Sequence, residues 1–208
     1  MKKLLLILFV LSATVSSAQM FDSISASFKT KPKFMVRIGA RNALITNSFM
    51  KIRDVGIGLN FKNTTKIGVV YSWMATNVVR PLSVPGIVVK DGEGELKMRY
   101  VSPFIEYTFF KSKRYTLSIP VQAGFGYGFY KFKNDAGNKL ITDKVPVAFY
   151  EPALVGEVFF LKFLSIGAGI GYRLMFVGNK SFEDRFTSPV YILKFKVHFG
   201  KIIKDILK

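Results

Sequence analysis

A chain of 208 residues suffices for one domain, and the lack of cysteine together with a single histidine, His198, excludes a disulfide scaffold, thiol chemistry and any multi-histidine metal site. Lys and Arg number 31 against 13 Asp and Glu, a formal net charge of +18, yet 50% of the residues are hydrophobic and 21 are Phe. Beyond the N-terminus no apolar segment approaches the ~20 residues a membrane-spanning helix requires, so this apolar content is carried by many short segments.

The chain begins MKKLLLILFVLSATVSSAQ: two lysines, an apolar run, then small residues up to Ala18. That order predicts a secretory signal peptide over residues 1–18, with an apolar part too short for an anchor. It directs the protein out of the cytoplasm, where nucleic acid would be no partner. Residues 19–32 are expected to form a periplasmic N-terminal segment ahead of the first strand.

Eight strand-like segments follow, at residues 33–40, 51–61, 66–76, 96–109, 115–132, 145–160, 164–177 and 189–199. In the fifth, Leu117, Ile119, Val121, Ala123, Phe125, Tyr127 and Phe129 share one face, while Ser118, Gln122, Gly124, Gly126 and Gly128 share the other. A helix gains nothing from this spacing and loses roughly 1 kcal/mol per glycine, whereas a strand separates the two sets onto opposite faces. An even number of ~10-residue segments with period two predicts an all-β fold, an eight-stranded antiparallel transmembrane β-barrel in up-and-down order over residues 33–200, its large apolar groups turned to lipid. Short connections fall at 62–65, 110–114 and 161–163, and longer ones at 41–50, 77–95, 133–144 and 178–188. With the short turns facing the periplasm, both termini lie there.

Arg37, Asp54, Glu151, Glu157, Arg173, Lys194 and Lys196 fall on the inward parity; Arg99 and Glu106 stand near this set, with their register obscured by Pro103. An Arg or Lys facing lipid at mid-depth costs ~2–4 kcal/mol, so these charges are expected to turn inward and pair. An eight-stranded interior is just wide enough to be filled by side chains, which favours a salt-bridged plug over a pathway for ions or solutes. The glycines leave room for such groups, Arg173, Glu157 and Lys196 among them. Gly167-x-Gly169-x-Gly171 has the wrong spacing for a dinucleotide loop and no helix pattern after it, so it reads as strand curvature and implies no cofactor.

The periplasmic side gathers Lys62, Lys66, Lys111, Lys113, Arg114 and Lys162 at the short turns, Lys29, Lys31 and Lys33 before the first strand, and Lys201, Lys204 and Lys208 in the tail, against Asp22 and Asp205. Such a face attracts anionic phospholipid headgroups or an acidic envelope partner. In residues 201–208 Ile202, Ile203, Ile206 and Leu207 stand at helical intervals between lysines, the pattern of a basic amphipathic tail.

The last segment runs Tyr191-x-Leu193-x-Phe195-x-Val197-x-Phe199. With the export signal and eight amphipathic segments, the chain resembles the small outer-membrane β-barrel families of Gram-negative bacteria; the glycine-rich strands and the Ser-Ala-Gln sequence at residues 17–19 look most like the outer-membrane β-barrel domain proteins of the Bacteroidota. The resemblance implies outer-membrane lipids as surroundings and insertion by the barrel-assembly machinery, which reads a C-terminal aromatic strand; here the chain continues past Phe199 to Lys208. Some barrels of this size modify lipid A with a histidine and a serine or carboxylate. His198 shares the parity of Lys194 and Lys196, but no partner serine is identifiable. The chain therefore reads as a non-enzymatic structural or accessory barrel, or a subunit of an envelope transport or secretion assembly. The alternatives are a narrow porin-like channel and a lipid A-modifying enzyme.

Overall fold

The computed structural model describes residues 20–45, 48–160, 164–177 and 187–197. Within them ten strands form one antiparallel sheet: β1 (Lys33–Ile45), β2 (Ser48–Phe61), β3 (Thr65–Met74), β4 (Val78–Pro81), β5 (Glu93–Lys111), β6 (Tyr115–Lys133), β7 (Lys139–Ile141), β8 (Val145–Phe159), β9 (Leu164–Val177) and β10 (Ser188–Val197). β1 pairs with both β2 and β10, and β5 pairs with both β3 and β6. Eight strands thereby close on themselves in the order β1, β2, β3, β5, β6, β8, β9, β10. This is an eight-stranded antiparallel up-and-down barrel, and closure leaves the ring without an edge strand.

The eight segments read from the sequence correspond one to one with the ring strands, but three connections differ. Residues 41–50 are not a long loop: β1 and β2 run on and stay paired up to Ile45 and Ser48. The connections 77–95 and 133–144 contain β4 and β7, which pair with the start of β5 and the end of β6 and extend the sheet beyond the ring. Residues 20–28 are helical, an element the sequence pattern did not suggest. The helix rests on the barrel through Phe28, edge-on to Phe61 with ring centroids 4.9 Å apart, and through Ser27, whose Oγ lies 2.7 Å from Thr65 Oγ1. The signal segment 1–18, His198 and the tail 201–208 lie outside the described residues.

Burial alternates along the strands as period two requires, and the two faces are inverted relative to a water-soluble barrel. On β5, Val101, Ile105 and Phe109 are exposed on the outside, while Ser102, Glu106 and Thr108 are buried inside. Elsewhere the outer wall exposes Val55, Ile57, Leu117, Leu154, Ile170 and Phe176, whereas Arg37, Asp54, Glu151 and Arg173 are buried in the lumen. From Val101 to Phe109 a strand tilted by ~40° climbs about 20 Å, close to the ~25 Å apolar band of outer-membrane barrels.

The glycines of β6 admit aromatic groups. A Cβ on Gly126 would stand 2.0 Å from the Arg99 carbonyl oxygen and 2.6 Å from Tyr100 Cβ, and one on Gly124 would stand 2.2 Å from the Phe149 ring. The inward space is thus taken by Tyr100 and Phe149, which meet edge to face at 4.8 Å. Gly126→Val is expected to cost at least about 1–3 kcal/mol through overpacking, read as a lower midpoint in urea unfolding from lipid vesicles. Phe125→Leu, one residue away on the outer face, should stay near wild type.

Candidate functional site: the charged interior of the barrel

Gly39 of β1 lies opposite Asp54 of β2, and a Cβ on Gly39 would fall 2.6 Å from Asp54 Oδ1. The carboxylate therefore sits over the glycine, between the two arginines that flank it on the same face of β1. Arg37 Nε lies 3.3 Å from Asp54 Oδ1, and Arg41 Nε donates to Asp54 Oδ2 at 3.1 Å. Arg41 then crosses the lumen, its Nη1 donating to Glu151 Oε1 on β8 at 2.8 Å. The same oxygen accepts from Gln122 Nε2 on β6 at 2.7 Å, and Oε2 accepts from Nε and Nη2 of Arg173 on β9, the Nε bond at 2.7 Å. Two carboxylates thus gather three guanidinium groups.

Aromatic faces complete the cluster. The Arg173 guanidinium lies 4.3 Å from the Phe149 ring centroid and 5.7 Å from that of Tyr100, and Arg37 lies 5.3 Å from that of Phe104. Arg173 Nη1 has no hydrogen-bond partner among the described residues, and the ring quadrupoles of Phe149 and Tyr100 stabilise the guanidinium beside them. Toward the end of the barrel bearing β4 and β7, the lumen becomes apolar, with Met50, Met74, Met98, Met175, Leu96 and Val147 packed in one buried cluster. Toward the opposite end, Lys66 Nζ donates to Glu106 Oε1 at 2.5 Å, and Ser165 Oγ donates to Glu157 Oε1 at 2.5 Å. The cavity beside Arg37, Arg41, Gln122 and Glu151 measures ≈ 10 Å³, at the lower limit for one water.

Of the residues assigned to the lumen by parity, Arg37, Asp54, Glu151 and Arg173 meet in this cluster, and Glu157 lies apart from it beside Ser165. The backbones of Lys194 and Lys196 pair with Gly167 and Ser165, but their side chains lie outside the described residues. Glu106 faces inward, and Arg99 faces outward and is exposed. Lys66 is not part of the basic face: its position on β3 directs it into the lumen to Glu106. Lys62, Lys111, Lys113 and Arg114 are exposed at the turns on that end, whereas Lys162, Lys201, Lys204 and Lys208 lie outside the described residues. Arg41, the residue that joins the two halves of the network, lies beyond the first strand as the sequence pattern bounds it, at Ala40. Its spacing of four from Arg37 in a strand was the available signal.

No group of three or more His, Cys, Asp or Glu able to hold a metal ion occurs among the described residues. Among the described residues the charges of the interior are paired with one another.

The barrel matches the crystal structure of Neisserial surface protein A with a TM-score of 0.50 at 9% identity, over 79% of this chain and 95% of that one. Its fold is that of the small eight-stranded outer-membrane β-barrels. Ail, the attachment invasion locus protein of Yersinia pestis, solved in complex with the heparin analogue sucrose octasulfate, gives a TM-score of 0.48 at 14% identity over 81% of this chain and 99% of that one. At such identities the likeness concerns the fold alone. No protein-family model and no curated protein matches the chain.

Removing one partner of a buried ion cluster leaves the others uncompensated, at a cost of ~3–5 kcal/mol. Glu151→Ala, which strands Arg41 and Arg173 together, is expected to fall in that range in urea unfolding. The triple replacement Arg41→Met, Glu151→Leu, Arg173→Met should lose less than Glu151→Ala alone.

Proposed function

We propose that the protein is an integral outer-membrane barrel with a structural or accessory role, serving as a subunit of an envelope transport or secretion assembly. The observation that carries this reading is the inversion of the wall: large apolar groups exposed outside, paired charges sealed inside. Water would penalise the first and lipid would penalise turning the second outward. The end with the short turns, carrying exposed Lys62, Lys111, Lys113 and Arg114, would face the periplasm and offer a cationic surface to an acidic partner. The glycine-rich strands support a kinship with barrels of the Bacteroidota. A lumen filled by side chains and closed by the methionine-rich layer supports a plug over a channel.

Crosslinking in native membranes, detergent extraction and native mass determination test the assembly role. A stoichiometric envelope protein is expected, lost on Lys111→Glu, Lys113→Glu, Arg114→Glu; a lone monomer would contradict it. In planar bilayers the wild-type barrel is expected to show no unitary conductance, and discrete openings would replace the plug with a channel.

A further inference from the structure

The outer wall changes character abruptly toward the end bearing β4 and β7. Val55, Tyr71, Val101 and Phe125 are paired in one cross-strand row over β2, β3, β5 and β6, and all four are exposed. One step further along the same outward parity the row is Arg53, Trp73, Arg99 and Tyr127, cation alternating with aromatic. Trp73 stacks on Tyr71 at 5.9 Å, and Lys144 Nζ lies 4.9 Å from the Tyr127 ring centroid. In the next row Lys97 pairs with Phe129, and beyond it Glu95 pairs with Lys131. Phe129, on the lipid-side parity, is only 5% exposed, with the Arg99 guanidinium 6.0 Å from its ring centroid. Trp73, Lys97, Arg99, Phe129 and Lys131, together with the buried Met74 and Met98 of the interior, line a groove of ≈ 130 Å³, far larger than the cavity beside Glu151.

Among the described residues this cluster is one-sided. The outward positions of β8, β9 and β10 described at the same end are Pro146, Ala148, Tyr150, Leu174, Phe176, Pro189 and Tyr191, none of them charged. A general ring of interfacial lysines would surround the barrel, so the cations on β2, β5 and β6 form a local feature. Glu95 lies 3.4 Å from Lys97 and offsets part of its charge, and Lys97 also donates to Asn77 Oδ1 at 2.5 Å. Arg53, Arg99 and Lys131, each exposed, add to the positive field, as does the exposed Lys144 beside Tyr127.

We infer that this patch binds the phosphate-bearing sugar headgroup of an outer-leaflet glycolipid. The inference rests on the membrane reading, which sets the patch directly above the apolar belt, at the depth where acyl chains give way to headgroups. Arginines recognise phosphate through paired donors, and Trp73, Phe129 and Tyr127 offer flat amphipathic faces of the kind found at membrane interfaces. The acyl chains of the same lipid would lie along Tyr71, Val101 and Phe125. A free phosphate would satisfy the cations but not this apolar continuation.

The test uses the full barrel in nanodiscs of phosphatidylcholine doped with purified lipid A or with its dephosphorylated form, bound glycolipid being counted by native mass spectrometry. Wild type is expected to bind lipid A at least about 10-fold more tightly than the variant Arg53→Gln, Arg99→Gln, Lys131→Gln, on the basis of ~1 kcal/mol per interfacial charge. The variant Arg53→Lys, Arg99→Lys keeps the charge but loses the paired donors, and its binding should fall between wild type and the glutamine variant. Equal binding of the dephosphorylated lipid, or unchanged binding by the glutamine variant, would overturn the inference. Complete displacement of lipid A by inorganic phosphate would overturn it by assigning the patch to a soluble anion. Recovery of the protein from cells without detergent would instead remove the membrane reading, an outcome separate from these.

Discussion

Glu151 is the point on which the interior depends. Its two oxygens accept hydrogen bonds from Arg41, Gln122 and Arg173, tying β8 to β1, β6 and β9 across the lumen. Arg41 passes the connection to Asp54 on β2, so the network touches five of the eight ring strands, four of them through charged side chains and β6 through the amide of Gln122. Such a network specifies register, because a one-residue slip of any of these strands would turn its charge toward the outside wall. There the cost of exposing it to hydrocarbon is several times the worth of an ordinary hydrogen bond.

From that layer the rest of the molecule follows in both directions. Toward β4 and β7 the buried methionines and Phe149 exclude water from the ion pairs and strengthen them by lowering the local dielectric. Toward the short turns the Lys66–Glu106 pair and the Glu157–Ser165 hydrogen bond continue the filling with smaller polar units. The outside wall answers with the opposite chemistry: an apolar belt, a stacked Phe110–Tyr115 pair at the turn end and the cation–aromatic row of Arg53, Trp73, Arg99 and Tyr127 at the other. Charge is thus expelled from the belt in two directions, into the lumen and out to the ends.

The architecture was legible in the sequence because side-chain alternation is a local property. Phe125, Gly126 and Tyr127 announce a strand without reference to any partner, and eight such segments leave few ways to close a sheet. The errors arose where polarity was read before parity. Arg41 has the polarity of a loop residue, yet it continues the inward series of Arg37 and Gly39. Lys66 has the polarity of a turn lysine, yet Ile67, Val69 and Tyr71 facing outward require it to face inward. Phe129 fell on the outward column as expected, but its burial beneath Arg99 depends on β5 lying beside β6 in one register. Which carboxylate receives which arginine is likewise set by pairings between residues far apart in sequence, as with Arg41 and Glu151, and no local pattern encodes them.

The central claim is the inversion of the wall, and β5 displays it from Val101 to Phe109. Single nitroxide labels placed in turn at residues 97 to 109 of the reconstituted barrel, with relaxation by oxygen and by a water-soluble nickel chelate, measure it directly. The account predicts period-two behaviour, with labels at 101, 103, 105, 107 and 109 accessible to oxygen and shielded from nickel, labels at 97 and 99 accessible to nickel, and even-numbered labels shielded from both. Nickel access to the labels at 101 to 109 equal to that at 97 would mean that water, not lipid, surrounds this wall, and would contradict the account.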